Sequence, residues 1–134
     1  MAKSVGRSFK VRLSEVQRAK KELDRFLLPT PLVLNNWLSE EMGCEVYLKL
    51  ENMQPIGSFK LRGATYRISK LSQAEKKRGV IAASAGNHAQ GVAWGSRQYG
   101  VSALIVMPET APIVKIQNTQ ALGGEVILKG KNYD

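Results

Sequence analysis

Two stretches of this chain gather residue types that can do chemistry. The first is Glu51-Asn52-Met53-Gln54-Pro55-Ile56-Gly57-Ser58-Phe59-Lys60-Leu61-Arg62-Gly63-Ala64. Lys60 falls in the first turn of a helix opened by Ser58, where the backbone dipoles present partial positive charge and an acidic residue is the usual occupant. A lysine so placed is either solvated or has a lowered pKa, and a lowered pKa suits an amine that forms Schiff bases. Phe59 beside it can supply a flat apolar wall. A plain surface lysine fits the same spacing. The second stretch is Ala83-Ser84-Ala85-Gly86-Asn87-His88-Ala89-Gln90-Gly91. A turn of small residues entering a helix offers backbone N–H groups to a carboxylate or phosphate. Asn87 both donates and accepts, which suits a phenolic oxygen on a cofactor. It reads equally well as a helix N-cap, with His88 as a polar first-turn residue. Neither stretch has the Walker lysine pattern or the dinucleotide G-x-G-x-x-G, so nucleotide binding fits poorly.

Both stretches follow strands in an alternating pattern that has to position them. Ser14-x-x-Gln17 has capping-box spacing and opens a helix whose Val16, Ala19, Leu23, Phe26 and Leu27 share a face, ended by Pro29-Thr30-Pro31. After a short apolar segment, Leu32 to Leu34, a brief helix from about Asn36 to Met42 closes at Gly43. Val46 to Leu50 reads as a strand, and a helix with Leu61, Ala64, Ile68 and Leu71 on one face follows. Ser72-x-x-Glu75 caps a short helix ending at Gly79. Val80 to Ala83 reads as a buried strand, Asn87 to Tyr99 as a helix and Ala103 to Met107 as a strand. A helix with Pro112 in its first turn and a strand from Glu125 to Leu128 complete the series. Continuous apolar strands alternating with helices predict an α/β fold, a parallel sheet with helices on both faces, whose ligands bind beyond the carboxyl ends of the strands. The rhythm predicts a further helix after Gly130, and so a chain that is part of a larger unit.

Composition excludes more than it selects. The 134 residues and 43% hydrophobic content suit one ordinary domain with a core, and 23% charged residues without low-complexity runs argue against disorder. No segment reaches the roughly 18 apolar residues of a membrane span. The basic N-terminal arm (Lys3, Arg7, Lys10, Arg12) lacks the apolar run of a secretory signal, and a short organelle-targeting arm is the weaker reading of it. The single cysteine, Cys44, permits no internal disulfide and reads as a small buried filler, and one cysteine with one histidine makes no zinc site. The net charge of +9 is scattered along helices without a nucleic-acid-binding motif, so no nucleic-acid partner is expected.

Taken together, the two stretches resemble those of the fold-type II pyridoxal-phosphate (PLP) dependent enzymes, and within them the threonine/serine dehydratase (threonine ammonia-lyase) branch. Thr30-Pro31-Leu32, Val106-Met107-Pro108 and Gly123-Gly124-Glu125-Val126 match as well, so the resemblance runs through nearly the whole chain after about residue 14. It implies that Lys60 holds PLP covalently and, once released, acts as the base at Cα. It implies that Phe59 lies against the pyridine ring and that Asn87 hydrogen-bonds the phenolic oxygen. The substrate carboxylate would be received by Ser84, Ala85, Gly86, Asn87 and His88, largely through main-chain N–H groups. The reaction would be loss of water from L-threonine or L-serine, giving a 2-oxo acid and ammonia.

Arg62 after Leu61 and His88 after Asn87 separate the chain from the cysteine synthases, whose motifs usually read Ser-x-Lys-Asp-Arg and Ser-Gly-Asn-Thr-Gly. Serine racemases resemble it in the Lys60 motif but carry a second serine where this chain has Ala85, which cannot move a proton. The resemblance further implies an N-terminal helix and edge of the large domain over residues 1–51 and a truncated small domain over 52–134. The glycine-rich phosphate loop would lie past residue 134, so this length alone is expected to be inactive. A cytoplasmic homo-oligomer of amino-acid metabolism, isoleucine biosynthesis included, is the expected setting, with no membrane partner and no metal. The alternative is a catalytically dead partner module that associates with a full-length homologue through exposed apolar faces.

Overall fold

The computed structural model describes residues 11–132. The basic arm over residues 1–10 and the helix expected after Gly130 fall largely outside them. Helix α1 (Leu13–Leu23) begins one residue before Ser14. Its first turn is closed by the Glu15 carboxylate, which accepts the Arg12 backbone N–H at 3.0 Å, and not by the Ser14–Gln17 pair. A charged acceptor at the positive end of a helix outcompetes a neutral hydroxyl one step later. The predicted stripe is buried only at its C-terminal end: Leu23 and Leu27 pack with Ile56 and Leu61, while Val16 stays 52% exposed.

Strands β1 (Leu32–Leu34) and β2 (Tyr47–Lys49) pair antiparallel, with Val33 opposite Leu48. Between them, α2 (Asn36–Met42) is capped by Asn35 Oδ1, which accepts the Leu38 N–H at 2.8 Å, and ends at Gly43 with φ 64°. All six strand residues are exposed. Cys44, between α2 and β2, is exposed with them and not the buried filler expected. A hairpin of this length is marginal by itself, so it depends on being tied to the rest of the chain.

The second sheet is parallel, in the order β3 (Val80–Ala83), β4 (Ala103–Met107), β5 (Glu125–Leu128). Ile81 pairs with Leu104, and Ile105 with Val126. Helices α3 (Lys60–Ser69) and α4 (Gln73–Arg78) precede it. The capping box of α4 forms as expected: Ser72 Oγ accepts the Glu75 N–H at 3.3 Å, and the Glu75 carboxylate accepts the Ser72 N–H at 2.7 Å. Helices α5 (Asn87–Gln98) and α6 (Ile113–Ala121) are the crossovers from β3 to β4 and from β4 to β5. Ala89 and Val92 of α5 pack with Ala103, Ile105 and Met107, and Ile116 of α6 joins them with Val80, Ala82 and Val126. Ile105 and Met107 are wholly buried, each contributing roughly 1.5–3 kcal/mol by leaving water.

The parallel α/β sheet is therefore present, but among the described residues its helices cover one face. Both crossovers step in the same direction along the sheet, and right-handed connections then place both helices on the same side. The opposite face carries Ile81, 70% exposed, and Ile127, 42% exposed, so β3 is a half-open edge strand and not the fully buried one expected. Helix α3 reaches the core through α5. A Cβ on Gly91 would lie 3.2 Å from Leu61 Cα, and one on Gly95 would lie 3.0 Å from Thr65 Cα, so the two helix backbones meet at glycines.

Candidate active site

The chain leaves β2 into a single 3-10 turn, Glu51–Met53, and reverses at Gly57, whose φ of 65° favours glycine. Ile56 and Ser58 are buried on either side of the reversal. Ser58 Oγ accepts the Lys60 N–H at 3.3 Å, and the helix starts at Lys60 itself, slightly later than a cap at Ser58 requires. Leu61 points into the core with no exposed surface, which leaves Phe59 and Lys60 outward; Phe59 is 62% exposed.

This loop is held by one acidic group. The Glu51 carboxylate accepts from Arg62 Nε at 2.7 Å and Nη2 at 2.9 Å, and from Thr30 Oγ1 at 2.6 Å. Gln54 Nε2 donates a longer bond of 3.3 Å. The paired Arg62 guanidinium, aided by the Thr30 hydroxyl against the opposing effect of burial, holds Glu51 down to about 2. The same bond pushes Arg62 above its usual value. A two-pronged, partly buried arginine–carboxylate contact is a strong and directional one. Here it closes the ends of the lysine loop on each other and ties the exposed hairpin to α3.

The second stretch leaves β3 at Ala83. Ser84 N–H continues the ladder to the Val106 carbonyl at 3.1 Å, and Ser84 Oγ accepts the Gly86 N–H at 3.2 Å. Helix α5 starts at Asn87, after an N-cap residue, Gly86, that has no side chain. The first backbone bond into the helix is from Gln90 N–H to the Gly86 carbonyl at 3.4 Å. By helix geometry the N–H groups of Asn87, His88 and Ala89 then have no partner within the helix, and Asn87 is the first helical residue, not its cap. Ser84, Ala85, Gly86 and Asn87 are half-buried and His88 is exposed.

The two helix starts face one cleft. Phe59, Lys60, Gly63, Ala64 and His88 line an open hollow of about 400 Å³. A Cβ on Gly63 would meet no atom within 4 Å, so any larger residue there would occupy the hollow itself. Of the residues singled out from sequence, Phe59, Lys60 and His88 share this wall, and Ser84, Ala85, Gly86 and Asn87 form the adjoining turn. Gly63 as floor and Glu51–Arg62 as clasp were not foreseen as site parts. The opposite charges of Glu51 and Arg62 were visible, but they stand eleven residues apart across a reversal, where no periodicity links them. The described residues contain no group of three or more metal-ligating side chains and no helix long and apolar enough to cross a membrane.

An aromatic face and an amine line the open hollow, with a turn of unused amides beside it, a lining that would fit a planar, anionic carbonyl cofactor. The profile of the family described as pyridoxal-phosphate dependent enzyme matches residues 23–134. A catabolic L-threonine dehydratase of Staphylococcus aureus is 51% identical over 125 residues, covering 92% of this chain and 36% of that protein. The solved structure of the processed threonine deaminase isoform 2 from Solanum lycopersicum superposes with a TM-score of 0.79 at 42% identity, over 92% of this chain and 36% of that one. Serine racemase from Dictyostelium discoideum gives a TM-score of 0.85 at 35% identity, over 92% of this chain and 40% of that one. The chain thus spans about a third of the length of the curated relatives it matches, the Staphylococcus protein being covered over 36%. Within that span the profile and the relatives agree: the chain belongs to the pyridoxal-phosphate dependent enzyme family.

Proposed function

We propose that this chain supplies the lysine and the carboxylate-binding turn of an enzyme that eliminates water from L-threonine or L-serine. The observation that carries the reading is the single cleft shared by Phe59, Lys60 and His88 at the start of two helices. Lys60 Nζ would hold the cofactor covalently and, when free, take the proton from the substrate Cα. Phe59 would lie against the cofactor ring, and the Asn87 carboxamide would donate to its phenolic oxygen. The turn from Ser84 to His88 would hold the substrate carboxylate through backbone N–H groups, which the positive end of α5 favours. When bound, pyridoxal phosphate supplies the electron sink for the pair left at Cα. The Cα proton and the β-hydroxyl would together leave as one water, and addition of water to the dehydrated product with loss of ammonia would give the 2-oxo acid.

Ala85 has no ionisable group, so no side chain at that position can return a proton to the opposite face of Cα. This supports elimination over racemisation, although a serine racemase is among the structural neighbours. The names of the relatives support threonine as substrate, and that of the Staphylococcus protein a degradative role rather than the isoleucine-biosynthetic one. The reading also carries a cytoplasmic homo-oligomer; the exposed apolar residues Leu32, Trp37 and Met42 support only that further protein surface covers this face. The same residues would serve a catalytically dead partner module, but that alternative leaves the lysine and the turn without use.

The test is a chimera in which this chain replaces the matching 125-residue segment of the Staphylococcus dehydratase. Steady release of 2-oxobutanoate from L-threonine is expected. A chimera that folds and takes up cofactor but releases no 2-oxo acid from threonine or serine contradicts the reading.

A further inference from the structure

The gap between the lysine and the turn that would receive the substrate is set by a backbone contact, and one residue makes it. Gly91 is buried where α5 crosses α3. A Cβ built on it would stand 3.2 Å from Leu61 Cα, 3.3 Å from Leu61 N and 3.3 Å from Lys60 C. All three are backbone atoms of the peptide that carries Lys60, so no side chain can swing aside to relieve the contact. Asn87 lies four residues earlier on α5 and therefore one turn along the same helix face. Gly95, four residues later, makes the matching approach to Thr65: 2.8 Å to Oγ1, 3.0 Å to Cα and 3.2 Å to N. Two glycines on one face of one helix thus hold α3 at close range, one under the lysine and one a turn away from the cleft.

We propose that Gly91 is a positioning residue that sets the distance between Lys60 and the Asn87–His88 turn, separately from the packing role it shares with Gly95. The proposal rests on the reading of Lys60 as the cofactor lysine. A methyl at position 91 pushes the Lys60–Leu61 peptide off α5 and opens the cleft where the two helix starts face each other. A methyl at position 95 meets a tighter approach but lifts α3 at Thr65. If loosened packing were the whole effect, Gly95→Ala would disturb the lysine at least as much as Gly91→Ala. Positioning reverses that order at the lysine while leaving Gly95→Ala at least as costly to stability.

The experiment compares the intact chain with Gly91→Ala and Gly95→Ala. Each is incubated with pyridoxal phosphate, reduced with borohydride, and the label apportioned among lysines by peptide mass spectrometry. Thermal unfolding and backbone amide NMR spectra are recorded on the same samples. Lys60's share of the label should fall by about tenfold in Gly91→Ala, since misplacement by about 1 Å is worth up to roughly 10²-fold in a reaction that depends on geometry. It should change less than about twofold in Gly95→Ala, although that variant is the less stable or equally so. Amide shifts should concentrate at Lys60, Leu61, Asn87 and His88 in the first variant and around Thr65 in the second. Equal loss of Lys60 label in both variants, or none in Gly91→Ala, overturns the proposal. So does a Gly91→Ala chain that fails to fold while Gly95→Ala folds, which would make Gly91 a packing residue. Absence of preferential Lys60 labelling in the unsubstituted chain would instead overturn the cofactor-lysine reading. The positioning claim is then decided by whether the Gly91→Ala shifts fall on both helix starts and the Gly95→Ala shifts do not.

Discussion

In the chimera that carries this chain, Lys60→Ala abolishes 2-oxobutanoate release, with kcat falling by at least about 10³-fold. That loss combines removal of a positioned base, worth roughly 10²–10⁴ on its own, with removal of the nucleophilic attachment point. Lys60→Arg separates the two contributions of a cation at the start of α3. It keeps the charge in the cleft, but a guanidinium neither condenses with a carbonyl nor gives up its proton near neutral pH. Both variants should therefore be equally inactive and should fold normally, because the Lys60 side chain is exposed and makes no hydrogen bond with another described residue. Activity of Lys60→Arg within tenfold of the parent would show that charge alone suffices and would remove the lysine from the chemistry.

Leu61→Ala should cost about 2–5 kcal/mol of stability, the range for deleting a fully buried leucine whose surroundings cannot close on the cavity. Leu61 has no exposed surface and packs with Leu23, Leu27 and Ile56, against Trp94 and Leu122. Collapse into the space it leaves is restricted, because the backbone of α3 already rests on Gly91. The loss is a large part of the roughly 5–15 kcal/mol that folded domains possess. Urea unfolding followed by circular dichroism measures it, with a lower midpoint and an unchanged slope as the expected signature. A change below about 1 kcal/mol would mean that α1 and the lysine helix do not share a core.

The strand and helix rhythm is legible in the sequence because the β3, β4 and β5 segments are short apolar runs bounded by turn residues, and because Gly43 and Ser72–Glu75 use local backbone chemistry. What depends on distant partners is not. The pairing of Leu32–Leu34 with Tyr47–Lys49 is a contact across a helix, and the apolar run alone does not say which strand it meets. The one-sided cover of the parallel sheet comes from the order of its strands and the hand of its crossovers, neither of which a hydrophobic pattern records. The start of α1 turned on a competition between Ser14 and Glu15 that propensity does not rank.

The site shows the same division. Lys60 stands out because a cation opens a helix, and the turn from Ser84 to His88 stands out because small residues feed another. That both line one cleft, with Gly63 as its floor and Glu51–Arg62 as its clasp, required the fold. The small residues of α5 were visible as packing residues. Their unequal duties appear only when Gly91 is seen under Lys60 and Gly95 under Thr65.

Everything assigned to the cleft depends on Lys60 being the amine that holds the cofactor. Borohydride reduction of the unsubstituted chain with pyridoxal phosphate, followed by peptide mapping, decides it. One dominant modified lysine is expected, Lys60, with its label suppressed when the cofactor analogue lacking its aldehyde is added in excess. Label spread over the surface lysines in proportion to their exposure would contradict the assignment.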